Sequence, residues 1–185
     1  MRLPAAVALL LLALPAPGHG EEWTTYTDRA AGFSVSYPAD WEAKSKPMPE
    51  AELKIQAPGG TAPTICTFGR MYVEGYDQVP LEMALGALNA DKIIKAAQVK
   101  NADVHLLVHE RRRFTGREAV YYEVSYRKPS ADATAGGVRY EMMEFFTAAS
   151  TGPIHAGCDV PSDDMELHVD TLFRIFNAFV VLPGS

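Results

Sequence analysis

His105 and His109 stand four residues apart, an interval that on a helix would turn both imidazoles to one face and let them share a metal ion. The surrounding VHLLVHERRRF alternates like a strand instead. Four extended residues separate the rings by about 13 Å, too far for one ion. The pair is therefore expected on the less buried face of a sheet. The densest acidic cluster is Asp159, Asp163, Asp164, Glu166 and Asp170, and calcium is the hard cation that such oxygens suit. Asp159, Asp163 and Asp164 are the calcium candidates, although the spacing lacks the central glycine and twelfth-position glutamate of an EF-hand. Acids opening a helix, where they meet the positive end of its dipole, explain the same cluster.

Arg111, Arg112 and Arg113, with Arg117 across a short turn, are the one basic concentration in an acidic chain. They form a candidate docking surface for an acidic partner, set against the commoner reading of a solvated hairpin tip. Tyr121, Tyr122, Tyr126 and Tyr140 could line a groove, though alternating strand aromatics usually form core or cross-strand pairs. No GxSxG, Walker loop, HExxH or dinucleotide fingerprint occurs, so no catalytic residues are assigned and no enzyme is expected. A hydrolase built from scattered Ser, His and Asp stays open as an alternative.

The first twenty residues bear on compartment. Arg2 precedes an apolar run from Ala5 to Leu14, then Pro15, Pro17 and small residues to Gly20. This reads as a signal peptide cleaved after Gly20, since the apolar run is short of the roughly 20 residues a membrane helix needs. Residues 1–20 are the expected signal and 21–185 a single domain, exported to the periplasm or beyond and not an integral membrane protein. Losing Arg2 moves the formal charge from −6 to −7, which disfavours nucleic acid as a partner. Cys66 and Cys158 then meet an oxidising compartment, and a disulfide between them is favoured over two separate buried thiols; spacing alone leaves both open.

The elements that must position these residues follow from periodicity. Residues 24–28 and 33–37 form an opening hairpin about the Arg29 to Gly32 turn, with Phe33, Val35 and Tyr37 on one face, Pro38 ending the strand and Trp41 folding back. Prolines break residues 38–63 into short pieces, with Leu53 to Ala57 the best strand among them. Thr64 to Val73 is a strand, and Leu81 to Ala97 one amphipathic helix. Val104 to Phe114 with Ala119 to Lys128, and Val138 to Ala149 with Ile154 to Val160, give two further hairpins, separated by a loop from Pro129 to Gly137. Val138, Tyr140, Met142 and Phe146 face one way and Met143 and Phe145 the other, so this strand is covered on both sides. Ser162 is the expected N-cap of a last helix whose stripe is Val169, Leu172, Phe173 and Phe176. The expected class is α+β: an α/β/α sandwich with a central, mainly antiparallel sheet of about seven strands and two long helices.

FSVSYPADW, the hairpin ending in RRRFTGREAVYYEVSY, and the strand and helix from Ile154 to Phe179 together make the chain resemble the PsbP family and its small exported bacterial relatives. The resemblance implies the same sandwich and a non-catalytic binding or accessory role, with an envelope protein or membrane complex as partner. It also carries an alternative: a calcium-dependent extrinsic accessory of photosystem II, the oxygen-evolving complex. Only Glu21, Glu22 and Trp23 precede the first strand of the expected mature chain, whereas PsbP uses a longer N-terminal segment.

Overall fold

The computed structural model describes residues 22–48, 51–70, 81–129, 137–149 and 152–183. The expected signal peptide lies outside them, as do residues 71–73 of the strand expected from Thr64 to Val73 and most of the Pro129 to Gly137 loop. Strand β1 (Trp23–Asp28) turns into β2 (Phe33–Pro38) through Gly32, whose φ of +84° lies in the left-handed region that suits a residue without Cβ. These two strands do not join the main sheet. They pair instead with β10 (Val180–Val181) at the far end of the chain, in the order β1-β2-β10.

The main sheet contains β3 (Glu42–Met48), β4 (Ala51–Gln56), β5 (Ile65–Arg70), β6 (Ala102–Phe114), β7 (Arg117–Lys128), β8 (Val138–Ala149) and β9 (Gly152–Pro161). Its seven strands run antiparallel throughout, in the order β3-β4-β5-β9-β8-β7-β6. Helices α1 (Leu81–Ala87) and α2 (Ala90–Gln98) lie on one face, and α3 (Met165–Asn177) with the small sheet lies on the other. This is the expected α+β sandwich.

Three local expectations change. The helix drawn from Leu81 to Ala97 is two helices, because Asn89 takes an extended backbone and its side chain accepts from the Lys92 N–H, capping α2. Ser162 does not cap α3: residues Ser162–Asp164 form a 3-10 turn, and the Ser162 hydroxyl is buried without a hydrogen-bond partner. On α3 the buried stripe is His168, Leu172, Ile175 and Phe176, one step round from the expected one, and Phe173 is 55% exposed.

Phe33 and Val35 are fully buried, and Tyr37 and Trp41 nearly so, so the opening motif is core. Phe179, just past α3, has its ring centroid 5.4 Å from Phe33, 5.9 Å from Phe68 and 5.4 Å from Phe114. It joins β2, β5 and β6 in one aromatic stack. Phe179→Ala is expected to cost about 3–5 kcal/mol, read as a lowered denaturant midpoint at unchanged slope, because no neighbour can fill the space of a fully buried phenyl.

Candidate functional site

Among the described residues, polar buried ground lies on the α1–α2 side of β7, β8 and β9. Along β7 the alternation of REAVYYEVSYRK sends Val120, Tyr122, Val124, Tyr126 and Lys128 to that face. The register places Tyr122 opposite Glu144 on β8, and Glu144 opposite Gly157 on β9. Glu144 therefore sits in the middle of a three-strand row. The Tyr122 hydroxyl donates to Glu144 Oε2, while His155 Nδ1 lies 3.0 Å from Glu144 Oε1. Both side chains of that ion pair are nearly buried, at 12% and 13% exposure.

Gly157 makes the row possible, since a Cβ there would stand 3.0 Å from the Glu144 Cγ. Burial pushes the Glu144 carboxyl upward, but the hydrogen bond and charge of His155, with the Tyr122 hydroxyl, outweigh it and hold the group below its ordinary range. Burial and the adjacent carboxylate push the Tyr122 phenol far above its usual value, so it serves as a donor and stays protonated. One row further along, Lys128 Nζ is 3.3 Å from Asp159 Oδ2 and lies over the Tyr140 ring at 3.9 Å.

Between these rows is a cavity of about 70 Å³, lined in part by Thr67, Met142, Glu144 and Asp159. The buried Asp159 Oδ1 has no hydrogen-bond partner in the protein. A water molecule occupies about 30 Å³, so the space suits solvent, far below the roughly 300–1,000 Å³ of an organic ligand site. The network can hold protons and fix three strands. Both carboxylate oxygens of its central residue are already engaged, and the Tyr122 hydroxyl is locked to Glu144.

Larger hollows lie at the edges. A groove of about 310 Å³ opens between the α1–α2 junction and β6, walled by Leu85, Leu88 and Val120 with His109 and Arg111 beside it. His109 Nε2 is fixed 2.8 Å from the Leu88 carbonyl. Another, of about 370 Å³, lies between the Asp40 turn and the Gly59–Gly60 loop.

The structure disperses the residues singled out by sequence. His105 pairs with Ser125 but His109 with Tyr122, an odd step along β7, so register shifts in β6 send the two imidazoles to opposite faces. Arg111 and Arg113 share the α1–α2 face with Val120, while Arg112 points to the α3 face and lies 4.4 Å over the Tyr121 ring. Arg111 pairs with Glu82 at 2.9 Å, Arg112 with Glu110, Arg113 donates to the Gly116 carbonyl and Arg117 to the Ala148 carbonyl. Of the acids, Asp159 serves Lys128, Asp163 is exposed, and Asp164 Oδ2 accepts from the Thr61 N–H at 2.8 Å and the Thr61 hydroxyl at 3.0 Å. Burial pushes the Asp164 carboxyl up, but those donors and the Ala62 N–H prevail and hold it low. Among the described residues no three His, Cys, Asp or Glu side chains stand close enough to hold a metal ion.

Cys66 and Cys158 are directly opposed on β5 and β9 and form a disulfide, both almost fully buried at the centre of the sheet. Sequence reasoning missed the buried Glu144–His155 pair. The available signal was Glu144 itself, set between Met142 and Phe146 on a face of large apolar groups.

No protein-family model matches this chain, and no curated protein sequence does. Solved structures do. The chain is similar to the cyanobacterial PsbP protein CyanoP of Synechocystis, with a TM-score of 0.55 and 16% identity over 91% of this chain and 98% of that one. It is similar to LpqN of Mycobacterium tuberculosis, a protein involved in cell envelope biogenesis, with a TM-score of 0.57 and 12% identity over 90% and 87%. A protein of unknown function from Pseudomonas aeruginosa matches with a TM-score of 0.55 and 14% identity over 88% and 99%. At these identities the likeness is one of fold, and the fold is PsbP-like.

Proposed function

We propose that this chain is an exported, non-catalytic binding protein of the cell envelope, built as a single PsbP-like domain. The observation that carries the reading is the buried Cys66–Cys158 bond, because a disulfide at the centre of a sheet persists in oxidising compartments and is rare in the reducing cytosol. The N-terminal segment, with its short apolar run and Gly18 and Gly20, supports export with cleavage after Gly20. Among the described residues no helix is long and apolar enough to cross a membrane. LpqN, which has a similar fold, is involved in cell envelope biogenesis, and that supports an envelope setting here.

Binding rather than turnover is favoured by the core network, whose Glu144 carboxylate is engaged on both oxygens beside a cavity of only about 70 Å³. The two edge grooves are large enough for a side chain or small group of a partner.

Expression with its own N-terminus tests the compartment. We expect envelope-fraction protein beginning at Glu21 that takes up no alkylating reagent until reduced. A cytosolic chain that retains residues 1–20 and alkylates at both cysteines would overturn it. Turnover in a substrate screen, abolished by one side-chain change, would overturn the non-catalytic reading.

A further inference from the structure

A sheet edge is a row of unpaired N–H and C=O groups, and proteins blunt such rows with charges, proline, bulges or brevity. The main sheet does so at both ends. Edge strand β3 carries Lys44, Lys46 and Pro47, with a register shift between Ser45 and Met48 and a left-handed backbone at Lys46. Edge strand β6 has two register shifts, a left-handed Asp103 and the Arg111 to Arg113 run. In the small sheet, β10 is only two residues long.

Strand β1 has none of these devices. It pairs with β2 without interruption from Trp23 to Asp28, and its interior is Thr24, Thr25, Tyr26 and Thr27, free of charge and proline. No described strand lies beyond it. Two hydrogen bonds fix which groups point outward: Ala39 N–H donates to the Glu22 carbonyl, and Gly32 N–H to the Asp28 carbonyl. Even-numbered residues thus face β2, and the N–H and C=O of Thr25 and Thr27 point away from the sheet. The side chains of Thr25 and Thr27 are exposed on the outer face, opposite Ser36 and Ser34.

We propose that β1 is a self-association edge, pairing antiparallel with β1 of a second copy about a two-fold axis through Tyr26. Self-complementarity selects both occupant and register. Opposed residues must share a face, so the axis passes through a residue rather than between two. Centring on Thr25 would set Glu22 of one copy against Asp28 of the other, a like-charge pair. Centring on Thr27 would run each strand into the other's Arg29 to Gly32 turn. Centring on Tyr26 sets Thr25 against Thr27 twice, so their outward groups exchange hydrogen bonds and their side chains form threonine pairs. Six residues a side bury far less than the roughly 800 Å² per partner of a stable dimer, so association is weak and concentration-dependent.

Sedimentation velocity of the full chain as expressed, from about 5 µM to about 1 mM, should show mass rising from monomer towards dimer. Thr25→Pro removes an outward N–H together with the exposed Thr25–Ser36 hydroxyl contact, so it should weaken association roughly tenfold or more while lowering the melting temperature only slightly. Should that variant fail to fold, Thr27→Lys places a charge on the same edge and should weaken association similarly. A monomer mass across the whole range overturns the proposal. So does association that persists unchanged in the folded edge variants.

Discussion

Removing the disulfide, by Cys66→Ala with Cys158→Ala, is expected to lower the stability of the domain by about 4–5 kcal/mol. The two cysteines are 92 residues apart, and in the chain-entropy model opening a loop of that size returns this much conformational freedom to the unfolded chain. Urea unfolding with and without reductant checks it. The midpoint of the oxidised protein should fall on reduction, and the double variant should match the reduced wild type. Both sulfurs are buried between β5 and β9, so reduction should require partial unfolding and be slow in native buffer. An equal midpoint in all three samples would show that the bond contributes nothing to stability. The expectation also bears on production, since a chain made in a reducing cytosol starts without this restraint.

Glu144→Ala is expected to be comparably severe, at about 3–5 kcal/mol, because it strands His155 and the Tyr122 hydroxyl in the core without their shared acceptor. Glu144→Leu combined with His155→Leu should recover much of the loss, since replacing both partners leaves no uncompensated charge. The pH dependence has a definite sign. The folded state holds Glu144 below its unfolded value of roughly 4.3, so this residue's stabilising contribution is complete above that value and is lost as pH falls through the folded one. Glu144→Gln should be less stable than wild type at pH 7, with the gap narrowing below about pH 4. A constant gap would mean that Glu144 acts by shape alone.

Much of the sandwich was legible because its central strands are long and regular. Val138 to Ala149 alternates large apolar groups on both faces, which already required layers above and below, and the structure supplies α1–α2 on one and α3 on the other. Strand β3 was hidden by the features that suit it to an edge: Lys44, Lys46 and Pro47 read as loop when taken alone. The break at Leu88–Asn89 could have been found from Asn89, three residues before Lys92, as a cap inside an apolar period. The Ser162 cap failed for a tertiary reason, because Asp164 is drawn to Thr61, 103 residues away, and the chain enters α3 through a 3-10 turn. The Arg111 to Arg113 run appeared as one patch in sequence, but strand geometry divides consecutive side chains between faces. Glu144 and His155 lie on a hairpin read from sequence, but whether they meet depends on its exact register, which residue alternation alone leaves open.

The small sheet is made from the two ends of the folded unit. Strands β1 and β2 open it, while β10, the Phe179 ring and the bond from the Leu182 N–H to the Gly32 carbonyl close it. A nascent chain leaves the ribosome N-terminus first, so Phe33 has no Phe179 to stack on until α3 has been made. Completion of this core must therefore wait for α3 and β10, long after β1 and β2 have emerged. The export proposed for this chain would call for an open polypeptide, and the order of the elements along the chain would supply that delay.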